Sequence, residues 1–172
     1  DAAFQYGKEQ KVDGVLLNGD AQDCASVGMW SSTIKRNFDG EVESFIEFLD
    51  YLDQEFPDAK KVYKPGNHEY RLPRLYANKA PELIGMPLMA MDVILGLEYR
   101  GIEFLEYKQV VMAGKLAILH GDEYKMSTAV NPARGLFLKA KTYAACGHFH
   151  STSEHSTRNV HGDLISTWSF GC

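Results

Sequence analysis

Four short apolar runs, each ending in a turn that carries Asp, Asn or His, constrain this chain more than any other feature. Residues 12–17 are apolar in the main and lead to Asn18-Gly19-Asp20. Val62-Tyr63 leads to Pro65-Gly66-Asn67-His68-Glu69, Leu116-Ala117-Ile118-Leu119 to His120-Gly121-Asp122, and Tyr143-Ala144-Ala145-Cys146 to Gly147-His148-Phe149-His150. Apolar runs of this length with turn residues behind them predict buried strands. Strands of that kind belong to a sheet covered by helices. In open α/β sheets the ligand site lies beyond the carboxyl ends of the strands. The four polar turns are therefore expected to converge on one rim.

Helical spacing fills the intervals. Val42, Phe45, Ile46, Leu49, Leu52 and Phe56 form an apolar stripe over 41–56, closed by Pro57, with Asp39 or Gly40 as the expected cap. Residues 2–10 and 132–141 read as further helices, the second with Asn131 as N-cap and Pro132 at the first helical position. Residues 102–107, 109–112 and 115–119 read as strands joined by Ala113-Gly114, and 153–170 as a hairpin turning at His161-Gly162-Asp163. Helices mixed with parallel and hairpin strands predict an α/β or α+β layered sandwich.

Composition narrows the function classes. With 172 residues, 45% hydrophobic and 24% charged, the chain fits one globular domain over 1–172 with a core of its own. A net charge of −5 argues against a binder of nucleic acid or membrane surfaces that works mainly by electrostatics. Cys24, Cys146 and Cys172 are odd in number and form no CxxC pair, which favours a reduced, cytoplasmic setting. Residues 83–97, the most apolar stretch, are broken by Gly85, Pro87 and Asp92 and are too short to span a bilayer. Met86, Met89 and Met91 in that stretch read as helix packing or a subunit contact. The chain opens inside a helical pattern at Asp1 and closes on a strand-like run at Cys172, so a fragment cut at both ends is expected.

Asp, Asn and His together make an oxygen and nitrogen donor set suited to Mn, Fe, Zn and related divalent ions, and there is no cysteine pattern for a closed zinc site. Taken singly, each histidine reads as an ordinary satisfied side chain and Gly19, Gly66, Gly121 and Gly147 as ordinary turns. That reading does not explain why every one of these glycines neighbours Asp, Asn or His. Lys8, Lys11, Lys60 and Lys61 read as surface residues, His155 and His161 as exposed, and Cys24 and Cys146 as buried and inert. Trp30 and Phe38 read as core or as a wall that could stack a base.

The strings Gly19-Asp20-Ala21-Gln22-Asp23, Gly66-Asn67-His68-Glu69, His120-Gly121 and Gly147-His148-Phe149-His150, in that order, resemble the calcineurin-like metallophosphoesterases. The flanks Tyr70-Arg71 and Asn131-Pro132-Ala133-Arg134 and the ending Ser169-Phe170-Gly171-Cys172 look most like the small phage and bacterial members. The resemblance covers 12–150. It implies a four-layer αββα sandwich with a dinuclear centre of the Mn, Fe, Zn or Ni class. On it, Asp20 bridges both metals, Asn67, His120 and His148 complete the second metal, and His150 binds the first. It makes His68 the general acid beside the scissile phosphate, oriented by Glu69, with Asp23 in support. A metal-activated water then attacks a phosphomonoester or phosphodiester substrate. Arg71, Arg74 and Arg134 are candidate contacts for the substrate phosphate.

One motif of that family is missing. Its opening Asp-x-His, which supplies two ligands of the first metal, occurs nowhere in these residues and is expected upstream of Asp1 on a strand this chain lacks. The first metal then keeps Asp20 and His150, while the second keeps all four ligands. Two alternatives stand beside the phosphoesterase: a non-catalytic scaffold with one incomplete metal site, and a nuclease acting on DNA or RNA.

Overall fold

The computed structural model describes residues 2–29, 35–125 and 130–171. Asp1, Trp30 and Cys172, singled out above, lie outside the described residues. The chain divides into two compact units, Asp1–Leu105 and Glu106–Cys172.

The first unit is a parallel α/β unit. Helix α1 (Ala2–Gln10) leads to strand β1 (Gly14–Asn18), then α2 (Phe38–Glu55), β2 (Lys60–Lys64), α3 (Arg71–Lys79), the single turn α4 (Met91–Ile94) and β3 (Ile102–Phe104). The three strands form one parallel sheet in the order β1-β2-β3, with Leu16 opposite Val62 and Tyr63 opposite Phe104. The stripe read from the sequence is the buried one: Val42, Phe45, Leu49 and Leu52 of α2 face the core. Val42, Phe45 and Leu49 pack with Tyr63, Leu95, Leu97 and Ile102, and Phe38 lies against the same cluster. The Phe45 and Tyr63 rings sit 5.6 Å apart.

Three expectations are corrected in this unit. The cap of α2 is Asn37, whose side chain accepts the Gly40 N–H, while Asp39 and Glu41 occupy the first turn, where negative charge meets the positive end of the helix dipole. Lys61 is 7% exposed and not a surface residue: its ammonium pairs with Asp53 at 3.1 Å. Arg100 in turn reaches Asp53 at 3.2 Å and Asp50 at 2.5 Å, so one buried lysine is held in a chain of alternating charge. The strand expected over 102–107 is shorter and joins β2 as a parallel neighbour instead of continuing into the later hairpin.

The second unit holds a five-stranded mixed sheet. Its elements are β4 (Val111–Ala113), β5 (Leu116–Leu119), α5 (Pro132–Ala140), β6 (Ala144–Cys146), β7 (Ser153–Arg158) and β8 (Leu164–Ser169), in the sheet order β4-β5-β6-β8-β7. The central strands β5, β6 and β8 are parallel, and β4 and β7 are antiparallel edges. Helix α5 begins as read: the Asn131 carbonyl oxygen of the side chain accepts the Arg134 N–H and Pro132 opens the first turn. Ala144 and Cys146 are small and fully buried, which leaves room for Leu136 of α5 to pack with them. The final hairpin turns where expected, with Gly162 at φ +86° and the Asn159 side chain accepting the N–H groups of His161 and Asp163. His155 on β7 is half-buried against Phe137, ring centroids 5.3 Å apart, and so is not fully exposed as expected.

Among the described residues, no helix is long and apolar enough to cross a membrane. Leu49 is fully buried at the centre of the α2 stripe. Leu49→Ala leaves a cavity there and is expected to lower unfolding free energy by about 2–5 kcal/mol, read from urea denaturation followed by circular dichroism.

Candidate active site

In the first unit the site is built from the loops that follow β1 and β2. Gly19 and Asp20 both take left-handed backbone, at φ 82° and 53°. Asp tolerates that region better than most residues because its short side chain bonds locally. The tight turn brings Asp20 to the Asn67-His68-Glu69 loop, where its Oδ1 accepts the His68 backbone N–H at 2.9 Å.

The carboxylate of Glu69 ties the two loops together. It is 2% exposed and accepts four hydrogen bonds: from the N–H groups of Asp20 (3.0 Å), Gln22 (3.0 Å) and Gly66 (2.8 Å), and from the Tyr63 hydroxyl (2.8 Å). Each donor would otherwise carry the cost of an unmet buried polar group. Glu69, expected to lie against the His68 ring, directs its hydrogen bonds to these four donors instead, and the carboxylate that meets Nδ1 of the ring is Asp23. Asp23 Oδ1 lies 2.9 Å from His68 Nδ1, and Nε2 on the other side of the ring lies 3.7 Å from Asp20 Oδ2. Arg71 fixes Asp23 in turn, donating to its backbone oxygen at 2.7 Å and to Oδ1 at 3.1 Å. Sequence spacing alone did not separate Glu69 from Asp23, because the choice depends on which carboxylate the buried N–H donors claim. The signal available was Tyr63, an apolar-run residue with a hydroxyl in need of an acceptor.

Two groups beside this network are held neutral. Burial, with the nearby Glu69 and Glu41 carboxylates, pushes the Cys24 thiol up to about 12 from an ordinary value near 9, against the opposing pull of Arg71. Burial first, then Glu69, raises the Tyr63 hydroxyl well above its ordinary range.

In the second unit the loops after β5 and β6 carry the histidines. His120 is 1% exposed, and its ring centroid lies 5.0 Å from that of His148, the planes inclined by 67°. The Gly147 N–H donates to the His120 carbonyl at 2.8 Å. Glu123 accepts the N–H groups of His120 (2.8 Å) and Gly121 (2.7 Å), so this carboxylate shapes the loop. Asp122 accepts the Tyr107 hydroxyl. Gly121 has φ +134°, and a Cβ built there would stand 2.8 Å from the His148 Cβ. Only glycine lets the two loops approach this closely. His148 and His150 are themselves left-handed, at φ 66° and 49°. His150 and Arg134 are exposed.

These donors suit divalent ions. In the second unit two imidazoles held ring to ring offer nitrogen donors, and in the first unit a carboxylate and an amide oxygen on loops pinned by buried hydrogen bonds offer hard oxygens. Compared with known proteins, the chain matches no family model and no curated protein.

Two outcomes are expected. Glu69→Ala strands four donors and should destabilise the fold by more than about 3 kcal/mol, whereas Asp23→Ala, at an exposed residue, should cost under about 1 kcal/mol; thermal melts of both variants check this. Cys24 must stay neutral in the fold, while the unfolded chain ionises it near 9. Its stabilising contribution is therefore whole below about pH 9 and is lost as pH rises toward 12. Melting temperature is expected to fall over that window, and less steeply in Cys24→Ala.

Proposed function

We propose that this chain is a metal-dependent phosphoesterase that hydrolyses phosphomonoesters or phosphodiesters. The observation that carries the reading is the His68 imidazole, held at Nδ1 by Asp23 with Nε2 turned toward the Asp20 carboxylate. A ring fixed at one nitrogen by a carboxylate presents the other in a defined direction, which is what proton delivery to a leaving alkoxide requires. Asp20, Asn67, His120, His148 and His150 are the proposed metal donors. Divalent ions bound there would supply charge neutralisation of the phosphate and an attacking water activated at neutral pH.

The chain's own residues then divide the work. Asp23 and Arg71 orient His68. Glu69 keeps Asp20 and His68 on loops of fixed spacing. Gly121 and Glu123 do the same for His120 and His148. The four-layer αββα sandwich, the dinuclear centre, the phosphate-ester substrate and the cytoplasmic setting implied by the resemblance belong to this proposal.

With Mn and a model phosphodiester, His68→Ala is expected to lower kcat by roughly 10²–10⁴-fold with metal content unchanged, while Asp20→Ala loses both metal and turnover. A His68→Ala variant of undiminished rate overturns the assigned role. Because no Asp-x-His is present, mass spectrometry after Mn loading is expected to show one tightly held ion per chain; two tight ions would overturn the unequal assignment of the two metal positions.

A further inference from the structure

We propose that a basic pocket of the first unit, beside the candidate site, binds the additional phosphate groups of a compact polyphosphate ester. The role as a substrate pocket rests on the phosphoesterase reading; the binding itself does not. The cavity measures about 490 Å³ and is lined by Arg36, Arg71, Arg74, Asn78 and Lys79, with no acidic side chain among its described lining residues.

The sequence of α3 explains the clustering. Arg71, Arg74 and Asn78 stand at positions i, i+3 and i+7, which share one face of a helix, and Lys79 follows in the last turn. Leu72, on another face, is 2% exposed and anchors the helix in the core. Arg36 arrives from the segment before α2, where its guanidinium donates to the Ser26 carbonyl at 3.3 Å. Arg74 also lies over the Tyr70 ring, 5.8 Å from its centroid. Of the four cations around the cavity Arg71 already meets the Asp23 carboxylate; the like charges still repel one another, and an anion seated among them relieves that cost. Arginine favours phosphate because its planar fork can donate two parallel hydrogen bonds.

The pocket is joined to the candidate site by contact. Arg71 lines it and donates to Asp23, and Asp23 meets His68. A chain of phosphates reaching from His68 past Arg71 would place its further phosphates among Arg74, Lys79 and Arg36. The cations form one concave cluster in a chain of net charge −5. That pattern suits a compact polyanion such as a nucleoside di- or triphosphate. A long nucleic-acid strand calls for a basic stripe.

The test is isothermal titration of the intact protein with inorganic tripolyphosphate in the presence of EDTA, at low and moderate salt. Saturable binding that weakens with salt is expected. The double variant Arg74→Glu/Lys79→Glu should weaken it by about tenfold or more, and Arg74→Gln/Lys79→Gln should weaken it to a lesser degree. Lys139→Glu on α5 should leave it unaltered. Melting curves identify any charge reversal that unfolds the chain, in which case the glutamine pair decides. Unchanged affinity in the double variants overturns the pocket. Tighter binding of a short single-stranded DNA at equal phosphate concentration, weakened by the same substitutions, overturns the compact ligand in favour of a nucleic-acid strand. Tripolyphosphate binding without any Mn-dependent ester hydrolysis sinks the phosphoesterase reading and leaves the pocket standing; hydrolysis without tripolyphosphate binding does the reverse.

Discussion

The arrangement of the first unit's polar loops depends on one buried carboxylate. Glu69 collects three backbone N–H groups from two separate loops and the hydroxyl of a strand residue. A carboxylate has lone pairs enough to accept all four, and hydrogen bonds to it are stronger than neutral ones. The positions of Asp20 and His68 follow from that closure. Burial raises the Tyr63 hydroxyl, and its donation to the Glu69 carboxylate, which it could not face as a phenolate, raises it further. The Asp23–Arg71 contact is built on top of this frame, at a more exposed level.

The second unit reaches a similar rigidity by different means. Here two loops touch directly, because Gly121 offers no side chain and Gly147 donates to the His120 carbonyl. Glu123 satisfies the N–H groups that the turn leaves without strand partners. In both units, then, carboxylates near the candidate ligands serve the backbone first. A glutamate adjacent to a motif histidine is as readily a loop fastener as a ring partner.

Much of the fold was legible because it rests on local rules. The α2 stripe, the Asn131–Pro132 start of α5 and the turn at Gly162 each follow from spacing or from one residue's preferred geometry. What escaped depended on distant partners. Asn37 outcompeted Asp39 as cap by reaching the Gly40 N–H. Lys61 is buried because Asp53, in the last turn of α2, pairs with it. The partner of β3 was decided by the parallel register with β2, which no local pattern encodes. In the candidate site, the polar loops were readable from the sequence but the contacts within them were not: Glu69 is buried and taken up by four donors, while the more exposed Asp23 meets the His68 ring. Arg36 and Lys79 were invisible as a pair because 43 positions separate them in the chain.

Gly121 has a consequence for how such a chain can vary over time. Every replacement of a glycine by another amino acid adds a Cβ, and here that atom would collide with another loop's Cβ. No gentle first step away from glycine exists at this position, so drift cannot probe it by degrees. A lineage could remodel the spacing between the His120 and His148 loops only by moving both at once, and the histidine pair would otherwise be handed on at a fixed separation while the surrounding surface diverged.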